Sequence, residues 1–154
     1  TLGPLKRILT QDKGGFRWVV LDTERRPYRL AQLSHGTVRL LTLALLLEGD
    51  HPLDWVGIDE PELNLHPAWA RRLAKKMVEV STNRQLIVST HSPEMLDEWT
   101  EAFRAGDVAV LRFDANKSIV ERIDPAGLID AFEEGWQLGD LYRIGDPTLG
   151  GWAR

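Results

Sequence analysis

Cysteine is missing from all 154 residues. That excludes a disulfide framework, a thiolate nucleophile and a cysteine-ligated zinc site. A surplus of positive charge is missing too: 19 Lys and Arg stand against 23 Asp and Glu, a net charge of −4. Attachment to nucleic acid through bulk charge is thereby excluded, although a local basic patch is not. No apolar run is long enough to cross a bilayer, and the longest, Leu40 to Leu47, contains Thr42. No apolar core follows Lys6 and Arg7, as it would in a signal peptide. Internal repeats and low-complexity tracts are also absent. What remains is globular composition, 43% hydrophobic and 27% charged. At roughly 150 residues per domain, such a chain forms one domain, or a piece of one, with a core of its own. It begins with Thr rather than Met, so a longer parent chain is expected.

The opening, Thr1 to Gly15, is polar and carries Gly14-Gly15, which predicts a loop or a ragged end. Phe16 to Leu21 has strand composition, and Glu24 to Pro27 reads as a polar turn. Leu33-Ser34-His35-Gly36 breaks the pattern before a helix from Thr37 to Glu48, apolar nearly all round and therefore expected to be buried. Trp55 to Ile58 predicts a buried parallel strand with Asp59-Glu60 at its carboxyl end. Pro67 suits the first position of a helix running to about Val80, with Trp69, Leu73, Met77 and Val80 as its apolar stripe. Gln85 to Ser89 is a second buried strand, and Pro93 opens a helix to about Phe103. Val108 to Phe113 and Ser118 to Ile123 flank a hairpin turn at Asp114 to Lys117. Ala126 to Glu134 is a short helix, and the Gly-containing tail from Gly135 has only scattered apolar residues. Strands alternating with helices indicate an α/β layer structure.

Three segments at element ends could carry chemistry. Ser34, read alone, is a helix cap, but a helix start with a nearby glycine also suits an anion. Asp59-Glu60, read alone, is a helix N-cap or a solvated turn after a strand. An apolar strand ending in two acids is also a device for holding Mg²⁺ and facing a nucleophilic water. Successive strand side chains point to opposite sides, so the two acids can take different tasks. His91, in Ser89-Thr90-His91-Ser92, is either a packed or exposed polar residue or a group that donates to a phosphate or positions a water.

The order of the three segments resembles the ABC-type ATPase fold, and most closely the bacterial AAA-type ATPases of the RecF/SMC/OLD kind. Leu33-Ser34-His35-Gly36 is similar to the ABC signature motif, Trp55 to Glu60 to a Walker B strand, Pro61 to Pro67 to the D-loop, and Gln85 to Pro93 to the switch-histidine strand. The match covers about Leu33 to Phe113. Nothing matches G-x-x-x-x-G-K-[ST], and no Gly-Lys-Ser or Gly-Lys-Thr occurs anywhere. His35 and Thr37 depart from the transporter form of the signature. Residues 1–154 therefore resemble the carboxyl-terminal lobe of a P-loop NTPase head, an α/β sheet with flanking helices whose Walker A half is absent.

The resemblance implies roles. Asp59 would hold Mg²⁺, Glu60 would act as general base, and His91 would contact the γ-phosphate. Ser34 and Gly36 would meet ATP bound to a partner head, while Asn64 and His66 would lie at the dimer seam. The implied cofactors are ATP and Mg²⁺. The implied partners are a second head, as homodimer or head-to-head pair, an amino-terminal Walker A lobe, and DNA or an effector protein, with no membrane and a cytoplasmic location. The expected activity is ATP hydrolysis in DNA repair, chromosome maintenance or phage defence. The alternative is an ATP-dependent dimerisation switch that hydrolyses little. Arg71, Arg72, Lys75 and Lys76 form a basic helix face, which is ordinarily just solvated.

Overall fold

A computed structural model describes residues 5–49, 53–114 and 119–149. They fall into two compact units that divide at Leu45/Leu46.

The first unit is built on an antiparallel sheet of β1 (Leu5–Lys13), β2 (Phe16–Thr23) and β3 (Pro27–Arg29). β1 replaces the expected loop. Its side chains are almost all exposed, so it carries no apolar alternation to announce it. What forms it is pairing. Gly14 and Gly15 adopt φ of +63° and +76°, the positive pair a two-residue hairpin turn requires, and Lys13 then meets Phe16. On β2 the buried residues are Val20, Leu21 and Thr23. The Thr23 hydroxyl donates to Arg26 O at 2.9 Å and accepts from the Arg26 N–H at 3.3 Å, closing the turn into β3.

α1 (His35–Glu48) begins two residues before the sequence suggests, directly after Ser34, which caps it. It is not buried all round: Leu43 and Leu47 are buried, but Leu45 is 49% exposed. It runs on past Leu45 into the second unit.

The second unit opens with β4 (Trp55–Asp59), joined in parallel to β5 (Gln85–Ser89). The register pairs Trp55 with Gln85, Gly57 with Ile87 and Asp59 with Ser89. The strands are parallel, as expected, but only one face is covered. Val56 and Ile58 are buried, whereas Trp55 and Ile87 on the other face are 63% and 55% exposed. Between the strands runs α2 (Pro67–Ser81), with Pro67 at its start as predicted. Its buried residues are Ala70, Leu73, Ala74 and Met77. Trp69 faces outward instead, with the Arg72 guanidinium 4.9 Å from its ring. The alanines take the inner positions; Ala74 O accepts the buried Trp99 indole N–H at 3.0 Å.

α3 (Pro93–Ala105) is closed by Ser92 at one end and by Gly106, φ +87°, at the other. β6 (Leu111–Asp114) and β7 (Ile119–Arg122) form the expected antiparallel pair, and residues 115–118 of its turn lie outside the described residues. After a 3₁₀ turn come α4 (Ile129–Glu133) and α5 (Leu138–Ile144). The tail is thus more ordered than it reads: Phe103, Ile123, Leu128, Phe132, Leu138 and Leu141 make one buried cluster. Among the described residues, no helix is long and apolar enough to cross a membrane.

Candidate functional site

The carboxyl ends of β4 and β5 bring Asp59, Glu60, Ser89 and His91 together. Parallel pairing places Asp59 beside Ser89, and the Ser89 hydroxyl donates to Asp59 Oδ1. The chain then turns sharply. Glu60 has φ +42°, a conformation few non-glycine residues adopt. Its N–H is held by Ser89 O at 3.0 Å and Ser89 Oγ at 3.2 Å. This tether fixes the strained residue and aims its carboxylate at His91, whose Nε2 lies 3.6 Å from Glu60 Oε1.

His91 is held from two further sides. Its backbone N–H donates to Glu62 Oε1 at 2.8 Å, and the Thr90 hydroxyl donates to the same oxygen at 2.7 Å. Its Nδ1 is 3.0 Å from the Tyr142 hydroxyl. Glu62 Oε2 is buried without a hydrogen-bond partner. An open cleft of about 380 Å³ passes over these groups, lined among others by Glu60, Glu62, Leu65, His91, Ser92 and Glu94. Glu94 closes one side. Its own backbone N–H, the Ser92 hydroxyl and Arg143 hold its carboxyl below the ordinary carboxylate range, against the opposing effect of burial.

The loop between β4 and α2 carries the other expected residues. Asn64 is exposed at φ +64°, which asparagine tolerates well. His66 caps α2, its Nδ1 accepting the Ala68 N–H at 3.2 Å. Ser34 and Gly36 belong to the first unit. Ser34 caps α1, accepting the Thr37 N–H at 3.2 Å and sharing a 2.8 Å hydrogen bond with the Thr37 hydroxyl, and it is exposed. Gly36 sits in the first turn of α1. The basic face of α2 is partly engaged: Lys75 pairs with Glu98 at 3.3 Å, and Lys76 with Glu48 at 3.0 Å.

Three members of the site were not assigned from the sequence. Glu62 and Thr90 stand beside the motif residues, but their mutual contact spans two loops. Tyr142 lies 51 positions beyond His91, and no local spacing points to it.

The donor set suits a hard cation. Asp59 offers an exposed carboxylate beside a hydroxyl, and Mg²⁺ takes one or two carboxylates and fills its remaining positions with water and phosphate oxygen.

Residues 10–97 match the family described as "AAA domain, putative AbiEii toxin, Type IV TA system". The chain is 35% identical over 95 residues to the retron Ec83 probable ATPase of Escherichia coli, covering 60% of this chain and 17% of that protein. It is 28% identical over 131 residues to the Old nuclease of Escherichia phage P2, covering 78% of this chain and 20% of that protein. The chain therefore spans a fifth or less of the length of these curated relatives. Its fold is similar to a solved structure from work on "ATP-driven dimerization and DNA stimulated activation of SMC ATPases", with a TM-score of 0.58 and 19% identity over 86% of this chain and 82% of that one. The fold is thus that of an SMC ATPase, and with more than half its length inside the family match this chain belongs to that AAA-domain family.

Proposed function

We propose that this chain is the motif-bearing lobe of an ATP-hydrolysing head that works as a dimer. The observation that carries the reading is the cluster at the carboxyl ends of β4 and β5: Asp59 bonded to Ser89, and Glu60 facing His91 across 3.6 Å. Phosphoryl transfer asks for positioning and charge neutralisation, and these four residues divide that work.

Asp59, oriented by Ser89, would hold Mg²⁺. The ion, when bound, neutralises charge on the phosphate oxygens. Glu60 accepts a proton from the attacking water. His91 contacts the γ-phosphate and stabilises the charge that develops there. The amino-terminal lobe with the Walker A loop packs on the open face of the β4–β5 sheet. Two features support that placement. Parallel sheets are covered on both faces, and here Trp55 and Ile87 are exposed on the face that carries Asp59 and Ser89. The sequence itself holds no phosphate-cradling loop.

Ser34 and Gly36 serve in trans at the ATP of a second head, and Asn64 and His66 lie at the seam between heads. Ser34 and Asn64 are exposed, as such contacts require. The setting we propose is DNA repair, chromosome maintenance or phage defence, and the probable ATPase of a retron among the relatives supports the ATPase reading.

Glu60→Gln in the full-length protein tests the reading. The shape is kept and the base is lost. ATP binding should persist while hydrolysis falls by roughly 10²-fold or more. Unchanged turnover would exclude Glu60 as the base. Turnover negligible in both proteins, with ATP still driving dimerisation, would favour the switch reading instead.

A further inference from the structure

We infer that Tyr142 is a positioning residue for His91, and that its hydroxyl donates to Nδ1 and so fixes the ring with an N–H on Nε2, facing Glu60. The side chain of His91 is 77% exposed, so packing alone leaves the imidazole free to rotate. Two polar neighbours lie at its two nitrogens: Tyr142 Oη at 3.0 Å from Nδ1 and Glu60 Oε1 at 3.6 Å from Nε2. An ionised carboxylate can only accept. A bare Nε2 would turn its lone pair on Glu60, whereas an Nε2–H is attracted to it. That tautomer leaves Nδ1 as an acceptor, and the tyrosine hydroxyl is the donor placed to meet it.

A tether is useful only if its far end is fixed, and α5 is fixed. Leu138 is fully buried and its N–H donates to the Thr100 hydroxyl at 3.0 Å. Gly139 lies so close to α3 that a Cβ there would come within 2.1 Å of Pro93 O. Arg143 reaches Asp97 at 3.3 Å and Asp140 at 2.9 Å. Tyr142 therefore stands on a helix docked against α3, the element that follows His91 in the chain. Tyr142 also lies outside residues 10–97, the span that the family match covers.

The catalytic consequence rests on the proposed role of His91 at the γ-phosphate; the positioning itself does not. The test uses full-length protein labelled with ¹⁵N-histidine at about pH 8, above the ordinary imidazole titration. The His91→Ala spectrum assigns the resonances. In the parent protein Nε2 should resonate as an N–H nitrogen and Nδ1 as a lone-pair nitrogen. Tyr142→Phe keeps the ring, removes the donor and should give a mixture of tautomers. It should also lower kcat for ATP about tenfold with little change in KM, because a misplaced group costs rate more than binding. In a His91→Ala background, Tyr142→Phe should cost nothing further.

An unchanged His91 tautomer in Tyr142→Phe overturns the inference, whatever the activity. Equal loss of rate with and without His91 also overturns it, since Tyr142 would then act elsewhere. A shifted tautomer with normal hydrolysis by His91→Ala upholds the positioning and removes His91 from the catalytic reading.

Discussion

Glu60 carries a backbone conformation that most residues avoid, and its site accepts that cost. At φ +42°, a residue with a Cβ pays about 1 kcal/mol that glycine does not. Glu60→Gly should therefore unfold at a higher urea concentration than Glu60→Ala, by about 1 kcal/mol, while both lose hydrolysis. Equal stabilities would show that the turn relaxes when the carboxylate goes. Ser89 is the next residue to test. Its hydroxyl orients Asp59 and accepts from Glu60 N–H, so Ser89→Ala should weaken Mg²⁺-dependent activity on the order of 10-fold or more, the usual scale for groups that orient a metal ligand. A magnesium titration of turnover would read that loss. Asp59, Glu60 and His91 were legible because an apolar run that ends in acids, or in a histidine, marks a strand end. Glu62 and Tyr142 were not, because their partners are brought close only by folding.

Helices and strands differ in how plainly the sequence announces them. α2 and α3 were legible through a proline at the first position and a 3.6-residue stripe, although Ala70 and Ala74 displaced Trp69 from the inner face. β1 and α5 were not. β1 has no buried face, and α5 is a seven-residue helix with little room for periodicity. The docking of α5 can be measured. Gly139→Ala puts a methyl group within 2.2 Å of Asp97 Oδ1 as well as against Pro93 O, so α3 and α5 must separate. Overpacking of this kind costs typically 1–3 kcal/mol, and the backbone oxygen cannot step aside as a long side chain would. Denaturation of Gly139→Ala should show that loss; a neutral result would mean the helices are not in contact in solution. The start of α3 has its own pH dependence. The Glu94 carboxyl is held below its usual range, so its contribution is fully present above the ordinary glutamate pKa. It fades as pH falls through the lowered value. Glu94→Gln should therefore be less stable near neutrality, by roughly 0.3–1 kcal/mol for an acid in a first helical turn, and the gap should close in acid. Urea midpoints of both proteins across that range would show it.

On the scale of the whole molecule, the proposed site is divided among parts. In the proposed reading this chain supplies the metal acid, the base and the signature serine, but phosphate affinity in such sites comes mainly from a glycine-rich loop and its lysine, which its sequence lacks. Residues 1–154 alone should therefore bind ATP weakly and not hydrolyse it, as nucleotide titration would show; magnesium-dependent turnover by the isolated chain would overturn the divided site. In full-length protein, mixing Ser34→Arg with Glu60→Gln should recover part of the activity. The mixed dimer gathers both lesions in one composite site and leaves the other whole. No recovery from proven mixed dimers would mean that the sites do not share residues in this way, or that both must act together. The α/β class was legible from alternation alone. The exposed second face of β4–β5 was not, since a strand's apolar content does not tell which neighbours cover it.

Glu62 has a mechanical consequence. One carboxylate oxygen, carried on the loop between β4 and α2, takes both the Thr90 hydroxyl and the His91 amide beyond β5. The two loops are thus pinned together at this oxygen, beside the Glu60–Ser89 tether. Any displacement of one that leaves these bonds intact must drag the other with it. Pressure applied near Asn64 would arrive at the imidazole as movement, as a crank passes on a push.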